Sequence, residues 1–112
     1  MNERGAVVRV RLDPTEGQEQ AGTRPAVILS ASLINDYSNV VIVAPVTSRK
    51  TDRVFPFEAM LDHEQCGLNT PSKVMLNQLR GVSKQRILGV YGRVDAAIMT
   101  AIDSALRIAL DI

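Results

Sequence analysis

Aromatic side chains are scarce in this 112-residue sequence. Tyr37, Phe55, Phe57 and Tyr91 make up 4% of it, and there is no tryptophan. That argues against a groove gripping proline-rich peptides, which needs clustered aromatic walls. It argues equally against a platform that stacks base after base of a single strand. Cysteine is reduced to Cys66, which cannot close an internal disulfide, so a reducing, cytoplasmic compartment is expected. No apolar run approaches the roughly 20 residues of a membrane span. The opening MNERGAVVRVRLDP lacks the long apolar core of a signal peptide and reads as a strand. No membrane association is expected. G-x-x-x-x-G-K-[ST], G-x-G-x-x-G and G-x-S-x-G are all missing, so no cofactor and no α/β-hydrolase site are expected. His63 and Cys66 form H-x-x-C in a turn without the second ligand pair that structural zinc needs. The simpler reading is a turn histidine and a small, semi-buried thiol. No carboxylate or histidine cluster suggests a two-metal site, so no metal is expected.

What is present is a foldable core. Hydrophobic residues make up 46%, too many for a disordered chain. The length suits one domain, residues 1–112, around a single core. Net charge is only +1, but it is unevenly spread: from Gln65 to Val94 there are Lys73, Arg80, Lys84, Arg86 and Arg93, and no acid. Such a stretch is either an anion-binding face or a sheet edge kept soluble by cations. Charge alone favours the edge.

Short strand-like runs dominate the chain. AVVRVRL (6–12) alternates, with Val8, Val10 and Leu12 on one face and Arg9 and Arg11 on the other. PAVILSA (25–31) and VVIVAPV (40–46) are continuous apolar runs, the pattern of buried strands. Residues 33–39 read as a loop between them. FPFEAML (55–61) alternates around Pro56, which places it at an edge or bulge. KVMLNQL (73–79) reads as a further strand, SKQRIL (83–88) as one helical turn, and GVYGRV (89–94) as a short strand. The period then changes. Asp95 is a good N-cap for AAIMTAIDSALRIAL. On that helix Ile98, Ile102, Ala105, Leu106 and Ala109 share a face, which Met99, Ala101, Ile108 and Leu110 widen to half the circumference or more. One sheet covers part of such an arc; the rest suggests a second contact, such as a partner subunit. The expected fold is mainly β, a small twisted antiparallel barrel with a C-terminal helix.

One stretch, EQAGTRPAVILS (19–30), puts an acid, an amide and a guanidinium at the mouth of a buried strand. Arg24 precedes Pro25, so its backbone is held extended, and a guanidinium is a rigid fork suited to phosphate. Thr47 and Ser48 follow the other buried run. If the two runs are neighbouring strands, Arg24 and Thr47 share a rim. Spacing alone favours the plainer roles: a salt bridge from Arg24 to Glu19, and a Thr47 hydroxyl bonded to its own backbone.

These residues also carry a resemblance. RGAVVRVRLDPTEGQEQAGTRPAVILS is similar to the opening of the MazF/PemK family of toxin endoribonucleases, with its E-Q-x-G-x-R-P motif. VVIVAPVTS resembles the family strand that ends in P-[IVC]-T-[ST]. FPFEAML, GLNTPSKVMLNQLRGVSKQRIL and GRVDAAIMTAIDSALRIAL extend the likeness over nearly the whole chain. The resemblance implies an SH3-like barrel with a C-terminal helix, as in plasmid-maintenance toxins of the CcdB/MazF kind. It also implies a homodimer, single-stranded RNA such as mRNA as substrate, and a cognate antitoxin whose often acidic tail occupies the RNA groove. Carried over residue by residue, Arg24 and Thr47 match catalytic positions and Glu19 a position implicated in catalysis in part of the family. Gln20, Ser48, Gln78 and Arg80 match or neighbour RNA-contacting positions. Two positions depart from the pattern: Ala6 replaces the usual acid, and Thr23 stands where some members carry histidine.

RNA carries its own nucleophile, the 2′-OH. Metal-independent cleavage needs a base for its proton, charge stabilisation on the phosphoryl oxygens, and a proton for the leaving 5′ oxygen. Arg24 suits charge stabilisation and, staying protonated, not the base. Glu19 suits the base, and Thr47 a hydrogen bond to a non-bridging oxygen. The residues leave the proton donor open, and the resemblance points to Arg24. Products would be a 2′,3′-cyclic phosphate and a 5′-OH. Two competing classes are a CcdB-like gyrase poison, which has no need of the Arg24/Thr47 pair, and an inactive RNA-binding barrel.

Overall fold

The alternation of AVVRVRL sets the first strand. In the computed structural model, which describes residues 3–12 and 22–112, β1 spans Ala6–Leu12 with Val8, Val10 and Leu12 buried and Arg9 and Arg11 exposed. β2 (Gly22–Ile28) pairs antiparallel with it, Val7 opposite Val27. β2 begins earlier than the apolar run because the polar residues Gly22–Arg24 already ladder onto Leu12–Val10. It ends at Ile28, where the N–H groups of Leu29 and Ser30 both turn to the Ile42 carbonyl.

A short helix, α1 (Ser32–Tyr37), follows where the sequence reads as a loop. Its Asn35 is buried and donates to the Ser30 carbonyl at 2.8 Å, while the Ser30 hydroxyl accepts from the Ile42 N–H. This tertiary anchoring replaces the missing side-chain cap. β3 (Val40–Thr47) then pairs with β2, Ala26 opposite Pro45. On its other edge β3 meets two strands in turn: β6 (Arg80–Ser83) along Val40–Val43 and β5 (Ser72–Met75) at Val46–Thr47. Pro45, with no N–H to give, falls in the gap between them.

The middle of the chain is more broken than alternation suggests. β4 covers only Glu58–Leu61; Phe55 and Phe57 lie in the turn before it with their rings stacked 5.3 Å apart. KVMLNQL is strand only as far as Met75, after which Leu76–Gln78 form a 3-10 turn. Lys84–Arg86 form the expected helical turn, capped by Ser83. β7 (Ile87–Arg93) closes onto β1.

The sheet order is β4-β5-β3-β2-β1-β7, with β6 on β3. This open, antiparallel, barrel-like sheet buries both faces. Val8, Val10, Leu12, Ala26, Ile28, Val41, Val43 and Val82 form one core cluster. The opposite face, with Val7, Val27, Ala44 and Val46, packs with Ala59, Leu61 and Val74 against α2 (Ala96–Leu110). The Asp95 carboxylate accepts from the Ile98 N–H at 2.8 Å and starts that helix. Ile102 and Ala105 are its buried residues, as periodicity predicts, while Ile108 and Leu110 on the widened arc remain exposed.

Candidate active site

The register between β2 and β3 decides whether Arg24 and Thr47 meet. The β2–β3 ladder ends with Ala26 opposite Pro45, and Arg24 and Thr47 each lie two residues beyond that end. On its far side Arg24 pairs with Val10 of β1, and Thr47 with Lys73 of β5. Both positions are thus fixed by neighbouring strands. Both line one cleft just past the end of that ladder, so they share a rim.

That rim opens on a cleft of about 240 Å³. One wall is Arg24 and Pro25, with Val46, Thr47, Ser48 and Arg49. The other is Gly67, Leu68, Asn69, Thr70 and Ser72, with Tyr91. Among the described lining residues, Arg24 and Arg49 contribute two guanidinium groups. Thr47 Oγ1 accepts from the Arg49 N–H at 3.1 Å. The turn-hydroxyl bond allowed by the sequence therefore exists, and it leaves the hydroxyl proton free to donate. A guanidinium fork and a hydroxyl donor on one rim are suited to the oxygens of a phosphodiester.

A family model described as "PemK-like, MazF-like toxin of type II toxin-antitoxin system" matches residues 3–110. The chain belongs to that family. It is similar to endoribonuclease MazF9 of Mycobacterium tuberculosis, 36% identical over 117 residues covering 100% of this chain and 98% of the relative. It is also similar to endoribonuclease EndoA of Bacillus subtilis, 32% identical over 107 residues covering 96% and 92%. Among solved structures, the MazE-MazF complex (Form-II) from Deinococcus radiodurans has a chain 26% identical, with a TM-score of 0.76 over 98% of this chain and 96% of that one. The barrel-like sheet with a C-terminal helix is the MazF fold.

In this MazF-like chain, Arg24, Thr47 and Ser48 come together at the cleft. Gln78 and Arg80 do not line it. Gln78 ends the 3-10 turn, with Nε2 3.6 Å from the Met75 sulfur. Arg80 faces Val43 on β6, about 13 Å along β3 from Thr47 at the usual strand rise. Glu19 and Gln20 lie outside the described residues, and with them any salt bridge from Arg24 to Glu19. The basic segment also divides. Lys73 is buried and unavailable to a ligand, its ammonium donating to Glu58 Oε1 at 2.8 Å and to the Arg53 carbonyl at 2.7 Å. Arg93 pairs with Glu3 at the surface. Cys66 is fully buried, not semi-buried, and burial pushes its thiol pKa up, helped by Asp62 and Asp95; a protonated core thiol is no nucleophile.

The second wall was beyond sequence reasoning. Asn69, Thr70 and Tyr91 reach the cleft only because the 62–68 turn docks on β7, a contact that spans some 25 residues of chain. The G-L-N-T stretch, a glycine and a leucine followed by two short polar residues, was the available signal.

Proposed function

We propose that this MazF-like endoribonuclease toxin cuts single-stranded RNA, including mRNA, in the Arg24/Thr47 cleft, with no metal ion. The RNA 2′-oxygen attacks the adjacent phosphorus and the 5′ oxygen departs, leaving a 2′,3′-cyclic phosphate and a 5′-OH. The observation that carries this reading is the rim itself: β2 and β3 bring a guanidinium and a hydroxyl donor into the lining of one cleft. Arg24 neutralises charge developing on the phosphoryl oxygens and, by family resemblance, protonates the leaving oxygen. Thr47 donates to a non-bridging oxygen. Glu19 takes the 2′ proton, and Gln20, Ser48, Gln78 and Arg80 hold flanking nucleotides. The protein works as a homodimer in the cytoplasm. The MazE-MazF complex of Deinococcus radiodurans supports a cognate antitoxin as partner; this antitoxin blocks the site by laying an acidic segment on the same cations.

The test is cleavage of a long, weakly structured mRNA in excess EDTA, with the 5′ ends of the products characterised. Arg24→Ala should slow cutting at least about a hundredfold, the scale for losing one charge-stabilising donor, with little change in melting temperature. Arg24→Lys should recover only part, because an ammonium lacks the planar fork. Full cleavage by Arg24→Ala would move the chemistry elsewhere, and loss of fold would make Arg24 a structural residue.

A further inference from the structure

We propose that Tyr91 stacks on a nucleobase of the bound RNA next to the scissile phosphate, so that the wall opposite Arg24 grips a base while Arg24 grips the phosphate. The proposal rests on the RNA-cutting reading above. It begins with the β1–β7 ladder. Val8 pairs with Val90 and Val7 with Gly92, which leaves Tyr91 as the extra residue of a bulge. Bulges re-aim a side chain and are enriched beside active sites. Tyr91 belongs to neither core cluster. It is 40% exposed, and it is the one aromatic residue among those lining the cleft with Arg24 and Thr47.

The residue is also clamped. The turn after Asp62 ends with Leu68 N–H donating to the His63 carbonyl at 2.8 Å and Gly67 N–H to the Glu64 carbonyl at 3.3 Å. Gly67 takes the left-handed φ of +77° that such a helical ending requires. Its α-carbon then sits directly on β7: a Cβ on Gly67 would lie 2.2 Å from the Tyr91 carbonyl oxygen. A Cβ on Gly92 would lie 2.7 Å from the Cys66 carbonyl oxygen. Both clashes are with backbone, so neither can be relieved by a side-chain rotation. Two glycines thus lock the Tyr91 backbone against the turn that carries Asn69 and Thr70. A residue whose backbone is held in place before binding has less freedom to lose when its ring stacks. The scarcity of aromatics excludes a multi-ring platform and leaves room for one stacked base.

Tyrosine emission gives a direct readout, because the chain has no tryptophan and Tyr37→Phe leaves Tyr91 as its sole tyrosine. The probe is a pool of random-sequence 2′-O-methyl RNA octamers, which lack the nucleophile. In the Tyr37→Phe protein the pool should quench emission saturably. Tyr91→Ala should weaken binding of the pool at least about fivefold, the lower end for one stacked base. With a long mRNA it should raise KM more than it lowers kcat. Tyr91→Phe keeps the ring and should behave as wild type in both assays; it serves as the decisive variant if Tyr91→Ala fails to fold. Absence of quenching, wild-type binding by a folded Tyr91→Ala, or equal damage from Phe and Ala would each overturn the proposal. The two readings fail separately. Quenching without any cleavage by the Tyr37→Phe or wild-type protein would remove the nuclease and keep the stack. Cleavage abolished by Arg24→Ala alongside normal binding by Tyr91→Ala would do the reverse.

Discussion

Lys73 shows how far charge and position differ in meaning. Its ammonium and the Glu58 carboxylate have side-chain exposures of only 5% and 7%. Glu58 Oε1 also accepts from the Phe55 N–H at 3.0 Å, and Lys73 reaches the Arg53 carbonyl. The pair therefore ties down the end of the loop that begins at Ser48 and Arg49 on the cleft. Removing one partner of a buried ion pair strands the other. Lys73→Met should cost about 3–5 kcal/mol in urea unfolding. Lys73→Met with Glu58→Leu should regain most of it, since an apolar pair of similar volume replaces a desolvated one. A near-neutral single variant would mean that water reaches the pair. From the sequence, Lys73 looked like any other member of a basic stretch, because composition carries charge and not burial. Arg24 and Thr47 were legible by another route. The family resemblance singled them out where spacing favoured plainer roles, and their shared rim required the two apolar runs to be neighbouring strands, as β2 and β3 are. Tyr91 was hidden because its aim depends on a bulge in the β1–β7 ladder, and a bulge has no periodicity to betray it.

At the scale of elements, the long periodic segments were legible and the short ones were not. β1, β3 and α2 each announce themselves by alternation, apolar continuity or a 3.6-residue period with a cap. α1 has six residues and no side-chain cap; it exists because Asn35 and Ser30 satisfy each other and Ile42 from across the fold. β6 is held by β3 and has little apolar pattern of its own. The α2 cap provides a pH test. The Ile98 N–H, then the Gln65 side chain, hold the Asp95 carboxyl below its usual pKa. A depressed folded pKa adds stability above the ordinary carboxylate value of about 3.9, and that stability is lost as pH falls through the lowered value. Asp95→Ala should therefore lower the melting temperature near neutral pH, and its deficit should shrink below about pH 4. A deficit that is unchanged from neutral to strongly acidic pH would show that the carboxylate charge plays no part in the cap.

For the whole molecule, the open question is what covers the apolar surface that the fold leaves outside. Ile108, Leu110 and Ile112 remain 57%, 51% and 81% exposed at the end of the chain, and Leu88 and Val90 are exposed on β7. Neither core cluster includes them. Scattered exposed leucines need no explanation, but Ile108 and Leu110 on the arc that periodicity marks as too wide for a single sheet, with Ile112 just past the helix, favour a protein contact. A stable contact between copies buries on the order of 1,200–2,000 Å² in total, more than the helix end alone offers, so the exposed Leu88 and Val90 of β7 are a second place to test. Sedimentation equilibrium at micromolar concentration should give twice the 12.2 kDa chain mass. Leu110→Lys and Val90→Lys, made separately, then map the interface. The variant that places a charge inside it should dissociate the dimer while its circular dichroism stays that of the folded chain. A wild-type protein that sediments only as monomer would contradict the homodimer. A dimer that survives both substitutions would keep the assembly and move its interface to another face, for which the exposed Leu33, Ile34 and Tyr37 of α1 are the next residues to charge.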